Sequence, residues 1–180
     1  MNRLLLLLLF FANYCFSQKT EFIERQGDVT FFSYTAVENI QAKNTQTLSI
    51  FNTQTNEIAV RILMRAFVFK KPLMHEHFNE SYIESDLYPE ATFTGKIIDF
   101  DSNIKTTQTR IIKGFFRLKN ISKPVEIKAQ ITKDNKNYII SGGLDVLIDD
   151  YNIKIPALLS PNISKKIEVS FNFKYTPNEK

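Results

Sequence analysis

The residues best equipped for chemistry gather between positions 73 and 90. Both histidines of the chain, His75 and His77, stand there beside Glu76 and Glu80. Imidazoles flanked by carboxylates are a donor set for a divalent metal. Helical geometry undoes that reading, because residues two apart point about 200° from one another. His77 and Glu80, three apart, do face the same way, but two ligands are too few for a closed zinc site. No metal ligand is therefore assigned. The expectation is that one histidine packs or hydrogen-bonds at the rim of the fold and the other is solvated.

Other chemistries find less support. There is no Gly-x-Ser-x-Gly elbow, and the one cysteine, Cys15, sits in the N-terminal apolar stretch. The carboxylate pairs Asp149-Asp150 and Glu84/Asp86 read as solvated turns, since adjacent residues of a strand face opposite ways. Gly142-Gly143 alone signals bending, not a phosphate loop. No catalytic residue and no cofactor is assigned, and the chain is read as a non-enzyme.

The chain has 180 residues and a formal charge of +4, with lysines interleaved among Glu and Asp. Nucleic-acid binding needs a concentrated basic face, which is missing, so no nucleic-acid partner is expected. Met1-Asn2-Arg3, the apolar run from Leu4 to Ala12, and the small residues Cys15 and Ser17 have the layout of a secretory signal peptide. A membrane-spanning helix needs about 20 apolar residues, and Asn13 and Gln18-Lys19 interrupt too soon. Residues 1–17 are read as a leader cleaved near Ser17/Gln18, and 18–180 as one secreted or periplasmic domain without stable membrane insertion. Cleavage removes Cys15, leaving a domain that relies on its core and not on disulfides.

Outside 73–85 the apolar residues alternate. Strands are expected over 29–34, 48–51, 58–69, 91–100, 110–119, 125–131, 138–148 and 166–175, with 38–46 as a connection and 121–124 as a turn or bulge. In 58–69, Ile58, Val60, Ile62, Met64, Ala66 and Val68 form the inward face, while Phe67 and Phe69 lie on the other face, under the helix. Within 73–85, Pro72 suits a first helical position. Met74, Phe78 and Ile83 recur at helical spacing, as do Leu73, His77 and Tyr82. About eight antiparallel strands with one short helical insertion make an all-β sandwich or barrel. Sixteen Phe and no Trp favour an aromatic interior. A barrel of that size either fills with side chains or holds one small apolar ligand.

Leu73-Met74-His75-Glu76-His77-Phe78-Asn79-Glu80-Ser81-Tyr82-Ile83-Glu84-Ser85, followed by Tyr88-Pro89-Glu90-Ala91-Thr92-Phe93-Thr94-Gly95, resembles the YceI-like family in the short secreted form found in Bacteroidetes. Three further stretches carry the same resemblance: Gly27 to Tyr34, Gly114 to Pro124, and Asp149 to Pro156. The chain departs from the family where Lys119-Asn120 replace His-Gly, so a polar contact made by that histidine is not carried over. The resemblance implies a single lipocalin-like antiparallel β-barrel with an apolar tunnel. It also implies a polyisoprenoid or other amphiphilic lipid as ligand.

Met64, Phe93, Phe116, Phe171 and Phe173 fall on inward faces, and Phe78 comes from the helix. These six are the candidate ligand-binding residues; core packing alone accounts for them equally well. Two functions stay open: a lipid-binding barrel, or a filled barrel acting through its outer surface as an envelope interaction protein. The sequence names neither the ligand nor the oligomeric state.

Overall fold

The structure is a computed structural model that describes residues 20–35, 39–155 and 164–179. The expected leader and its cleavage point lie outside the described residues. Among the described residues nine strands form: β1 (Glu21–Ser33), β2 (Ile40–Asn52), β3 (Glu57–Leu63), β4 (Val68–Phe69), β5 (Glu90–Ile97), β6 (Gln108–Leu118), β7 (Ile121–Asp134), β8 (Asn137–Leu147) and β9 (Lys166–Pro177). Every pairing is antiparallel, in the order β1-β9-β8-β7-β6-β5-β3-β2, and β1 pairs back onto β2. Eight strands thus close a barrel. The two-residue β4 adds to β2 where β3 has ended, with Ala42 opposite Phe69.

Three departures from simple alternation shape the barrel. The first is in β2, where residues 40–46, expected as a connection, belong to a thirteen-residue strand. After the buried Ala42, the next inward positions of β2 carry the fully buried polar residues Asn44 and Thr47. Asn44 Nδ2 donates to Leu63 O at 2.8 Å, and Gln46 N donates to Asn44 Oδ1 at 2.7 Å. A polar residue that satisfies backbone groups beside an irregular register defeats a period-two reading.

The second lies in 58–69, which does not form one strand. A 3-10 turn at Met64–Ala66 breaks it and shifts the inward phase by one residue. Ile58, Val60, Ile62 and Met64 point in as expected, but Val68 is 71 % exposed while Phe67 is buried. Met64 N donates to Pro89 O at 2.9 Å, one step past the last β3–β5 pair, Leu63 with Glu90. The third is the β6–β7 connection, a two-residue turn at Lys119 (φ 47°) and Asn120 (φ 61°) instead of at 121–124. Positive φ at both positions suits the right-handed twist of the flanking strands. Pro124 sits inside β7 opposite Phe115 and needs no second partner there, because β7 pairs with β8 only from Lys128 onward.

That late pairing opens a seam. Beyond Lys128 and Gly143 the strands β7 and β8 part, and a 3-10 turn at Ile148–Tyr151 packs against both. Tyr151 is buried there, 5.7 Å from the Phe116 ring, and Lys123 pairs with Asp150 at 3.7 Å outside it. Burial, with the Asp150 charge second, pushes the Tyr151 hydroxyl above its ordinary range, so it stays protonated.

The lumen has two unlike ends. At one, Phe22, Phe51, Phe100, Tyr138 and Tyr175 interlock, mostly edge to face, with ring centroids 4.8–6.5 Å apart. Tyr175 and Ser49 are fully buried and bonded at 2.6 Å. Ser49 spends its one hydrogen on Ala59 O at 2.9 Å, so Tyr175 is the donor between them. At the other end the lumen is hollow.

Candidate functional site: a lidded apolar cavity

The helical segment spans the hollow end. Helix α1 (Pro72–His77) begins with Pro72 in the first turn and continues as a π-type turn over Phe78–Tyr82. Ile83 N donates to Phe78 O at 2.9 Å, and Glu84 stops the helix at φ 56°. Phe78 anchors this lid. Its ring stacks on Phe31 at 5.4 Å and meets Phe67 at 5.7 Å and Phe69 at 5.1 Å. The expectation that Phe67 and Phe69 lie beneath the helix therefore holds.

Two polar ties fix the lid's flanks. The carbonyl of Phe67 can only accept, so His75 Nδ1 donates to it at 3.0 Å; Nε2 then accepts from Asn79 Nδ2 at 3.2 Å. At the far end Lys119 Nζ donates to Tyr82 O at 3.0 Å, bonds to Glu84 Oε2, and lies 5.5 Å from the Tyr88 ring centre. Lys119, its side chain largely buried, thus clamps the β6–β7 turn to the lid.

Beneath the lid is a cavity of about 430 Å³. Its walls are Val29 and Phe31 of β1, Ile62 and Met64, Phe116 and Leu118 of β6, Val146 of β8, and Ile167 and Val169 of β9. The two helical rows expected from the sequence, Met74/Phe78/Ile83 and Leu73/His77/Tyr82, both face it. His77 is half-buried on the cavity side and not fully solvated as expected. Burial raises the Tyr82 hydroxyl above its ordinary range, which keeps it a hydrogen-bond donor.

Of the six candidate residues, Met64, Phe78 and Phe116 line this cavity. Phe93, Phe171 and Phe173 lie outside its lining, in or against the packed core. Glycines explain where two of those rings go. A Cβ at Gly114 would come 2.8 Å from Phe93 Cζ, and one at Gly27 would come 2.5 Å from Phe173 Cδ1. Phe93 leans over bare backbone, away from the mouth; Phe173 stacks on Phe171 at 5.0 Å. Sequence reasoning missed Phe31, Leu118, Val146 and Val169 as lining. The inward phase of each strand held that signal, without saying how far along the barrel the void would run.

No cluster of three or more metal-ligating side chains occurs among the described residues, and no helix there is long and apolar enough to cross a membrane.

A closed antiparallel barrel, packed at one end and lidded over an apolar void at the other, defines a lipocalin-like class of protein. The chain belongs to the YceI-like domain family, whose model matches residues 20–175. Among solved structures it is similar to a polyisoprenoid binding domain from Saccharophagus degradans implicated in plant cell wall breakdown. That match has a TM-score of 0.76 at 12 % identity and covers 88 % of this chain and 99 % of that one. BcnA of Burkholderia cenocepacia gives a TM-score of 0.70 at 12 % identity, covering 82 % and 95 %. The Campylobacter jejuni YceI protein gives 0.66 at 14 % identity, covering 81 % and 90 %. Comparison with curated protein sequences finds no match.

Proposed function

We propose that this chain is a secreted or periplasmic binding protein that shelters an apolar or amphiphilic lipid, with isoprenoids among the candidates, in the hollow end of its barrel. The observation that carries this reading is the 430 Å³ cavity with almost wholly apolar walls under a built lid. Its size falls in the range of roughly 300–1,000 Å³ common to small-molecule sites. The polyisoprenoid-binding relative of like fold supports the same ligand class.

The mechanism is transfer of an apolar chain from water into a preformed lumen, worth about 25 cal/mol per Å² of apolar surface removed from water. No bond is made or broken. The filled-barrel alternative fits the packed end and leaves the void without a purpose. Mass spectrometry of organic extracts from protein purified from its native host tests the reading. A stoichiometric lipid is expected; an empty protein that also refuses a neutral apolar dye would overturn it. Amino-terminal sequencing of the exported chain is expected to begin at Gln18.

A further inference from the structure

Resting on the carrier reading above, we propose that the ligand has one short apolar tail, of roughly fifteen to twenty carbons, and that this chain rejects long polyisoprenoids. The far end of the tail stops against the aromatic cluster that fills the other half of the barrel.

The first argument is where the lumen ends. A strand presents its inward residues one after another along the barrel, so the void can be followed on each wall. On β3, Ile62 lines the cavity, while Val60 and Ile58 are buried outside its lining. On β8, four strands away around the barrel, Val146 lines it, while Ile140 and Tyr138 are buried outside. On opposite walls the void thus ends part-way along. Beyond that point Phe51, Phe100 and Tyr138 meet edge to face with centroids 5.3–5.9 Å apart. Tyr175, bonded to Ser49 at 2.6 Å, closes the same cluster. A tail threading the whole barrel would part these rings and leave two buried hydroxyls unpaired. The side of the cavity is stopped as well, because the 3-10 turn at Ile148–Tyr151 packs across the β7–β8 seam with Tyr151 edge-on to Phe116.

The second argument is capacity. An apolar cavity of about 150 Å³ accommodates one benzene, six carbons. At that density 430 Å³ holds roughly eighteen carbons. Carbons beyond that number stay outside, in water. A lipid leaving a bilayer loses about fourfold in affinity for each methylene left uncovered. A tail several times too long therefore stays in its membrane, whereas one that fits exchanges one apolar surrounding for another.

The test incubates the full mature protein with phosphatidylcholine vesicles that carry equal amounts of geraniol, farnesol, geranylgeraniol and solanesol, isoprenols of two, three, four and nine units. Gel filtration separates protein from vesicles, and mass spectrometry of the extracted protein reads what it has taken. Farnesol and geranylgeraniol are expected, with solanesol below about a tenth of the geranylgeraniol. Ile62→Phe, which raises the floor from within the void, is expected to lower the ratio of geranylgeraniol to farnesol by about tenfold. A melting temperature near wild type checks that this variant folds. The proposal is overturned if solanesol exceeds that fraction on the wild type, or if a folded Ile62→Phe leaves the ratio unchanged. Nile red uptake with no isoprenol recovered, or with solanesol preferred, defeats this proposal alone; failure to take up Nile red as well defeats the carrier reading with it.

Discussion

The two ends of the barrel run on the same eight strands and come to opposite results. At the packed end inward positions carry rings that interlock at 4.8–6.5 Å, and a Tyr175–Ser49 bond satisfies the polar atoms among them. At the hollow end inward positions are chiefly aliphatic: Val29, Ile62, Leu118, Val146, Ile167 and Val169. These are too short to meet across the lumen. Four of the rings at that end, Phe31, Phe67, Phe69 and Phe78, are spent on seating the lid. Eight strands enclose a lumen near the limit that side chains can fill. Whether it fills depends on where along the strands the aromatics fall.

The contrast is sharpest in truncations. Phe51→Ala should cost about 4 kcal/mol, because its neighbours are locked ring to ring and cannot collapse. Val146→Ala borders a void already present and should cost about 1.5 kcal/mol, the transfer free energy of the lost methyls. Denaturant unfolding of both variants measures the difference, and equal costs would mean the ends are packed alike.

Phe78→Asp comes next. It places a carboxylate among the rings of Phe31, Phe67 and Phe69 and should cost about 3 kcal/mol, with loss of dye retention. A variant that keeps both its melting temperature and its dye would show that Phe78 does not seat the lid. Lys119→Met should cost about 2 kcal/mol, since it removes a charged donor from Tyr82 O and Glu84. Amide exchange should then quicken in residues 78–85 ahead of the strands.

Tyr175→Phe is the smallest, about 1 kcal/mol for one buried hydrogen bond. Its pH dependence is more telling. Burial holds the Tyr175 hydroxyl far above its ordinary value, so the folded state keeps a proton that the unfolded state releases above about pH 10. The wild type therefore loses stability as pH climbs past 10, and Tyr175→Phe should lose less over the same span. Melting temperatures at neutral and alkaline pH give the comparison.

Much of this fold is legible in the sequence. Strict alternation marked β9 and the second half of β7, and helical spacing placed six lid residues on the face that covers the cavity. What escaped notice had local physical causes. Asn44 and Thr47 put polar side chains inward and hid half of β2. The turn at 64–66 shifted the phase that had assigned Ala66 and Val68 to the interior. Phe93 and Phe173 face inward as expected but settle over Gly114 and Gly27, outside the lining of the void. Alternation tells which side of a strand is wet, and it is silent about which way along the barrel a ring will lean.

The most direct test of a hollow, ligand-ready end is a Nile red titration of the wild type against Val169→Trp, which fills the cavity from β9 without touching the packed end. The expected result is one dye bound per wild-type chain and none by a folded Val169→Trp. No uptake by the wild type, or equal uptake by both, would contradict it.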